Sequence, residues 1–518
     1  MHSTYKSSGA GTPDMKLFYA CFISLVTTAF GFILRSLMLP EWGKQFNLTQ
    51  TQLGEIAGVG LWPFAISIVL FSLVIDKIGY KTAMIFAFIC HVSSAIITIF
   101  ANGYWMLYIG TFIVALGNGT VEAVANPVVA TMFSRQKTKW LNILHAGWAG
   151  GLVLGGIIAL LMGVETRWEY KIALILLPTL AYGFMMFPRK FPLNERVQAG
   201  VSYKEMLQEV GAFGALIIVS LIVFQLGAVF GWSTTFNIIL ILLISVLFGL
   251  YTRSLGQPLF VILLLIMIPL ATTELGTDSW ITDLMTPAMN ELGLQAGWVL
   301  VYTSAIMFVL RFFAGPIVHK VSPLGLLAIC SAIAAIGLYM LSASAGVMIL
   351  VAATIYGLGK TFFWPTMLGL VAERFPKGGA LTLNITGGLG MIAAGVIGAG
   401  ILGFIQDKSV DTKIAAYDKN NNTALHSTYV TESKTSLFGD YKALNQERLS
   451  AASDDEQATV TTVRDTAKKE ALSDIVIFPL IMLVSFLLLI FYFKSKGGYK
   501  AVVLKKEKRS EPVYETVN

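Results

Sequence analysis

The chain has 518 residues, 55% of them hydrophobic and only 13% charged, with a mean hydropathy of +0.71. That balance excludes a water-soluble globule and fits an integral membrane protein. The net charge of +7 lies mostly in short loops and a basic tail, so it reads as membrane topology and not as a nucleic-acid footprint.

The polar start, MHSTYKSSGAGTPDMK, runs directly into an apolar stretch without a small-residue cleavage site, which predicts an uncleaved first helix. Six apolar spans follow near 17–38, 53–75, 82–100, 104–133, 142–163 and 171–187, and two more near 211–231 and 235–252. A third set falls near 258–281, 297–318, 323–343, 347–372, 381–405 and 475–493, so the expected architecture is all-α with roughly fourteen membrane helices. The alternation of a membrane β-barrel is absent. The polar, mixed-charge segment 406–474 reads as a partly helical insert outside the membrane. Cys21, Cys90 and Cys330 sit in apolar segments without metal-ligand spacing; they read as packing residues, and no cofactor or metal is expected.

The loops DKIGYK (76–81), SRQKTK (134–139), 188–204, YTR (251–253), HK (319–320), ERFPK (373–377) and the tail from 494 to 509 all fall on one side in this count. The positive-inside rule makes that side the cytoplasm, with both termini there, in a plasma membrane of the bacterial inner-membrane kind.

The stretch LGNGTVEAVANPVVATMFSRQKTKWLNI is echoed by LGKTFFWPTMLGLVAERFPKGGALTLNI, with Gly117 matching Gly359 and Asn142 matching Asn384 at one offset (359 − 117 = 242; 384 − 142 = 242). Asp76 faces His319 and Gly54 faces Gly297 at nearly the same spacing (319 − 76 = 243; 297 − 54 = 243). Two related bundles fused head to tail account for this. The division is then 1–187, a linker 188–257 carrying two extra helices, 258–494 with the insert 406–474, and a tail 495–518; the inserted helices are expected to act only as a connection.

The fourth span raises a question of its own. VEAVANP (121–127) places a carboxylate, Glu122, and an amide, Asn126, one turn apart on one helix face, next to Pro127. An ionisable side chain in a spanning helix faces a partner or a water-filled cavity. A carboxylate passing between wet and dry surroundings can take up and release a proton, which a proton-coupled carrier requires; a hydrogen-bonded structural Glu is the other reading. Pro127 frees one carbonyl, expected to turn toward the cavity.

Two six-helix halves with D-K-x-G-Y-K after the second helix resemble the major facilitator superfamily. That resemblance implies two pseudo-symmetric bundles rocking about a central site, here with two extra central helices, and a gating role for Asp76, Lys77, Gly79 and Lys81, with Asp76 pairing across the bundle interface. E-x-x-x-N-P in the fourth helix, Leu141-Asn142 opening the fifth, VLRFFAGPIVHKVSPLGLLA with Arg311, and TFFWPTMLGLVAERF with Trp364-Pro365 in place of Tyr-Pro are similar to the fucose permease branch, the fucose–galactose–gluconate:proton symporters. The likeness leaves out 205–257 and 406–474. It implies a proton-coupled sugar carrier with Glu122 as its essential acid. One departure stands out: the branch's first-helix aspartate aligns with Ser36, beside Arg35.

Other intramembrane charges suggest a replacement. Arg35 and Asp278 match across the repeat (278 − 35 = 243), so Arg35–Asp278 and Arg35–Glu122 pairs are both expected candidates, with Glu274 as a second acid on the face of Asp278. Lys360 sits where Asn118 does; it and Arg311 equally suit snorkelling or bracing of helix pairs. Trp62, Trp148, Trp280 and Trp364 fall in helices expected to line the cavity, and Trp148 with His145 and Asn142 offers a stacking face beside hydroxyl-binding groups. The site expected from the sequence therefore comprises Glu122, Asn126, Asn142, His145, Trp148, Arg35, Asp278, Glu274, Arg311, Lys360, Trp364 and Asn384.

The leading expectation is a secondary transporter of a sugar-like molecule with a coupling proton as its second partner. An organic-anion carrier holding a uronate or other carboxylate on Arg35, Arg311 or Lys360 is the alternative. A proton-coupled peptide carrier is suggested by the two extra helices but lacks an E-x-x-E-R motif in the first helix. A sensor or membrane enzyme is disfavoured, because no triad, metal cluster or phosphate loop has convincing spacing.

Overall fold

The computed structural model describes residues 13–504 apart from 49, 164, 279–284, 286–288, 290–292, 294, 296, 345 and 437–438. Trp280 and the tail beyond 504 lie outside the described residues. Within them, 12 helices are long and apolar enough to cross a membrane. Helices are the expected solution for such a chain, because each satisfies its own backbone where water is absent.

The first six are α1 (Met15–Gln45), α2 (Gln52–Ile78), α3 (Tyr80–Ile99), α4 (Tyr104–Met132), α5 (Lys137–Leu161) and α6 (Trp168–Met186). Next come α7 (Tyr203–Phe230) and α8 (Thr234–Thr252). The second half comprises α9 (Pro258–Gly276), the shorter α10 (Gly297–Arg311), α11 (Ala314–Ala343) and α12 (Met348–Arg374). It continues with α13 (Gly379–Ala393) and α14 (Ala399–Asn421), and after the insert helix α15 (Asp454–Glu470) ends with α16 (Ile477–Ser495). Polar caps set several starts: Asp14 accepts the amides of Lys16 and Leu17 at 3.0 and 3.2 Å below α1, and Ser202 and Glu205 form a capping box at α7.

Helix α5 forms the seam between the halves, and its glycines explain how. A Cβ at Gly147 or Gly151 would lie 2.7 Å from the Phe22 carbonyl or 2.6 Å from Ala29 Cβ on α1, and one at Gly150 would lie 2.8 Å from the Phe308 ring on α10. Small residues on both faces let α5 approach the α1 backbone on one side and seat the Phe308 ring of α10 on the other.

The first of the two inserted helices does more than connect the halves. Tyr203 at the start of α7 donates to the Leu73 carbonyl of α2 at 3.0 Å, and Met206, Leu207, Val210 and Ile218 are buried in the same apolar core as α9 and α13. Their burial corrects the expectation of a passive connection.

The polar insert is partly helical as expected, with an unexpected hairpin. Helix α14 runs on through the start of 406–474 to Asn421, and a two-stranded antiparallel hairpin, Glu432–Ser436 with Gly439–Ala443, follows. ESKTS and GDYKA carry too little apolar alternation to announce strands. Val410, Ile414, Leu425, Tyr429, Leu449 and Val460 give the insert a small core of its own.

Candidate functional site

A small cavity of about 30 Å³ lies between the halves, lined by Phe64, Glu122, His145, Trp148, Glu274, Leu275, Arg311, Trp364 and Met391. Glu122 (5% exposed) comes from α4, His145 and Trp148 from α5, Glu274 from α9, Arg311 from the end of α10 and Trp364 from α12. Trp364 stands at the repeat position of Glu122 (364 − 122 = 242), so the two halves present an acid and an indole at matching places.

On the first-half side the polar groups form a chain. Asn126 Nδ2 donates to Glu122 Oε2 at 2.5 Å, Asn126 Oδ1 lies 3.0 Å from His145 Nε2, and that nitrogen is 3.9 Å from Glu122 Oε2. Among the described residues no lysine or arginine lies within ion-pair distance of Glu122. On the other side Glu274 is paired with Arg311 at 3.1 Å, and Arg311 crosses the seam to donate to the His145 carbonyl at 2.7 Å. Glu274 lies in a π-helical turn, Thr272–Gly276, which packs beside a second one at Ala394–Gly398. Such turns widen a helix and re-aim one side chain.

Several expected site residues lie elsewhere. Arg35 meets neither Asp278 nor Glu122; it donates to the Gly31 carbonyl at 3.3 Å, Ser94 Oγ at 2.6 Å and Thr98 Oγ1 at 3.2 Å, inside the first half. Asp278 pairs with Lys360, whose ammonium also lies over the Tyr356 ring at 5.3 Å, so it does not share a partner with Glu274. The repeat arithmetic sets depth but not the direction a side chain takes around its helix, and nearer partners within each half win. Ser36 is exposed and folds its hydroxyl onto the Phe32 carbonyl at 3.0 Å. Trp62 packs on Phe112 at 5.6 Å and does not line the cavity.

Asn142 and Asn384 join the halves and do not reach the cavity. Asn142 Nδ2 donates to Thr366 Oγ1 on α12 at 3.1 Å, and Asn384 Nδ2 donates to the Ala123 carbonyl on α4 at 3.0 Å. Ala123 is four residues before Pro127, so its carbonyl is the one the proline leaves without a helical partner. That carbonyl is held by Asn384 and does not face the cavity.

At the end bearing the basic loops the halves are tied directly. Lys137 Nζ donates to the Ala372 carbonyl at 3.1 Å, and Thr138 Oγ1 donates to Glu373 Oε1 at 2.5 Å. Tyr499, after α16, donates to Glu373 Oε2 at 2.7 Å, and Val502 N–H donates to the Glu373 carbonyl at 2.8 Å. Burial and the adjacent Glu373 carboxylate push the Tyr499 phenol well above its ordinary range, so it stays a donor. Asp76 pairs with Arg196 in the connecting segment, not with the second half; that segment then touches Gly379 at the start of α13. Lys77 lies over the Tyr203 ring at 5.5 Å, Gly79 turns the chain at φ +80, and Lys81 is exposed.

Sequence reasoning missed Phe64, Leu275 and Met391 in the cavity wall, since apolar residues in apolar helices carry no distinguishing signal. His91 on α3 is buried between Tyr182 Oη and Asn118 Oδ1, each at 3.0 Å, away from the cavity.

Two helical bundles closing around a cavity with acidic, basic and aromatic walls have the architecture of a multi-pass membrane protein of the transporter class. The chain matches the family model of the Major Facilitator Superfamily over residues 20–273. It resembles the E. coli fucose:proton symporter FucP, whose outward-conformation structure is 15% identical with a TM-score of 0.56, covering 90% of this chain and 98% of that one. The human organic anion transporter MFSD10 (TETRAN) is similar at 10% identity and a TM-score of 0.61, over 92% of this chain and all (100%) of that one. A gentisate transporter of Corynebacterium glutamicum is 24% identical over 179 residues, 34% of this chain. The alignment spans 40% of that relative's length.

Proposed function

We propose that the protein moves a neutral, sugar-like molecule across the membrane by alternating access, with Glu122 carrying the coupling proton. The observation behind this reading is an acid at the wall of the central cavity with no lysine or arginine at ion-pair distance among the described residues, joined through Asn126 to His145. The cavity offers indole faces at Trp148 and Trp364 for the C–H surface of a sugar ring and polar groups for its hydroxyls.

Charge decides between a neutral substrate and an anion. Arg311 already donates to the Thr361 carbonyl at 2.8 Å, the His145 carbonyl at 2.7 Å and Glu274 at 3.1 Å. Lys360 is engaged by Asp278, and Arg35 by groups of its own half. The cavity wall thus presents two carboxylates and one committed guanidinium, a poor setting for a carboxylate substrate. The organic-anion reading stays second, favoured by the similarity to the gentisate and human organic anion transporters. The positive-inside rule assigns the basic-loop end to the cytoplasm of a plasma membrane.

Purified protein in liposomes with an imposed inward proton gradient should accumulate a neutral hexose or deoxyhexose from a labelled panel, and a protonophore should abolish the accumulation. Accumulation of uronates or hydroxybenzoates with no response to neutral sugars would overturn the reading.

A further inference from the structure

Helix α12 is interrupted between Lys360 and Phe363, whereas the repeat-equivalent stretch 118–120 of α4 is continuous (360 − 242 = 118; 362 − 242 = 120). An interruption leaves carbonyls unmet on its upstream side and amides on its downstream side. Pro365 deepens the deficit: its nitrogen cannot donate to Thr361, four residues back.

Two of the stranded groups are met by charged side chains from other helices. The Thr361 carbonyl accepts from Arg311 Nε at 2.8 Å, and the Trp364 amide donates to Glu274 Oε2 at 3.0 Å. The signs match the helix ends, a cation at the carbonyl end and an anion at the amide end. Arg311 and Glu274 are bonded to each other at 3.1 Å and are 1% and 3% exposed. Four groups, two backbone and two side-chain, thus close a ring around the break.

We infer that Arg311 and Glu274 are positioning residues: a charged staple that holds the break in α12 and so fixes Trp364 as the cavity wall. They are not ligands that hold a substrate's charge. The inference builds on the reading of this cavity as the substrate site, but the staple itself is independent of what the cavity binds. The third arm of Arg311, on the His145 carbonyl, ties the break to the helix that carries the Glu122 chain. A substrate that moves Trp364 therefore strains the seam between the halves.

Hydrogen–deuterium exchange of the full chain in lipid nanodiscs tests this without any substrate. Glu274→Ala should raise exchange of the amides in 361–368 roughly tenfold, while Glu274→Gln, which keeps an oxygen for the Trp364 amide, should stay much nearer the wild type. Arg311→Lys should also raise exchange there, because one ammonium cannot reach three acceptors. Adding Pro365→Ala to Arg311→Lys should reverse the rise by returning a helical N–H to Thr361. Should Glu274→Ala not fold, the Arg311→Lys and Arg311→Lys/Pro365→Ala comparison carries the test. Wild-type exchange in Glu274→Ala or Arg311→Lys, or a rise that Pro365→Ala leaves unchanged, overturns the staple. Failure of the transport reading would appear separately, as absent uptake by the wild type with these exchange differences intact.

Discussion

Asn384 on α13 donates at 3.0 Å to the main-chain carbonyl of Ala123 on α4, the carbonyl that Pro127 leaves without its helical partner. One half of the molecule thus completes the backbone of the other, and its repeat mate Asn142 reaches in the opposite sense to Thr366. Asn384→Ala should cost roughly 1–3 kcal/mol by stranding a buried acceptor. Pro127→Ala in the same chain should recover much of that loss, since the new N–H can bond Ala123 within α4. Thermal unfolding of the two single variants and the double variant in detergent checks this; additive losses would show that the bond and the proline are unconnected.

Glu122→Gln keeps an acceptor for Asn126 but removes the exchangeable charge. The variant should still exchange substrate across liposome membranes when concentrations are equal on both sides, and should lose accumulation driven by a proton gradient. Uphill uptake at the wild-type rate would mean that the coupling acid lies elsewhere.

What was legible in the sequence follows the chemistry of isolated charges in apolar text. Glu122, Arg311 and Glu274 stood out because a lone ionisable group in a spanning helix needs a reason, and all three face one cavity. The superfamily fold was legible too, through the repeat and the loop motif. Partners were not. Arg35 was set against Asp278 by repeat arithmetic, yet it lies among Ser94 and Thr98 because hydroxyls of α3 are nearer than any acid. Asn384 looked like a sugar-binding amide, and only the three-dimensional neighbourhood of Ala123 shows it completing a helix 261 positions away in sequence. Arg196 sits in a connecting loop, where no pattern marks it as the partner of Asp76.

The pair of Asp76 and Arg196 holds the last turn of α2 to the connecting segment, with side-chain exposures of 11% and 5%. Asp76→Ala leaves a buried guanidinium without its carboxylate and should cost up to about 3 kcal/mol, while Asp76→Asn, which keeps an oxygen, should cost less. Thermal unfolding would read the difference. Equal, negligible losses in both variants would demote the pair to a surface contact. The loosened segment should also become more sensitive to protease between 188 and 202, since it is the tether that Arg196 supplies.

Glu373 joins three parts of the chain through one carboxylate: Oε1 accepts from Thr138 of the first half at 2.5 Å, and Oε2 accepts from Tyr499 of the tail at 2.7 Å. Thr138→Val and Tyr499→Phe each remove one donor while leaving the other, and each should cost about 1 kcal/mol. Together they strip the side-chain hydroxyls from Glu373, so their combined effect should exceed the sum by roughly 0.5–1 kcal/mol. The consequence for motion is readable at Thr131, which lines a small cleft beneath this clamp with Lys137 and Ala372. The native cysteines, Cys21, Cys90 and Cys330, are all buried, so a Thr131→Cys probe reports with little background. Its alkylation should speed up in each single variant and most in the double variant, because every lost bond favours separation of the halves at this end. Unchanged labelling in the double variant would show that Lys137 and the packing around it hold the end closed without Glu373.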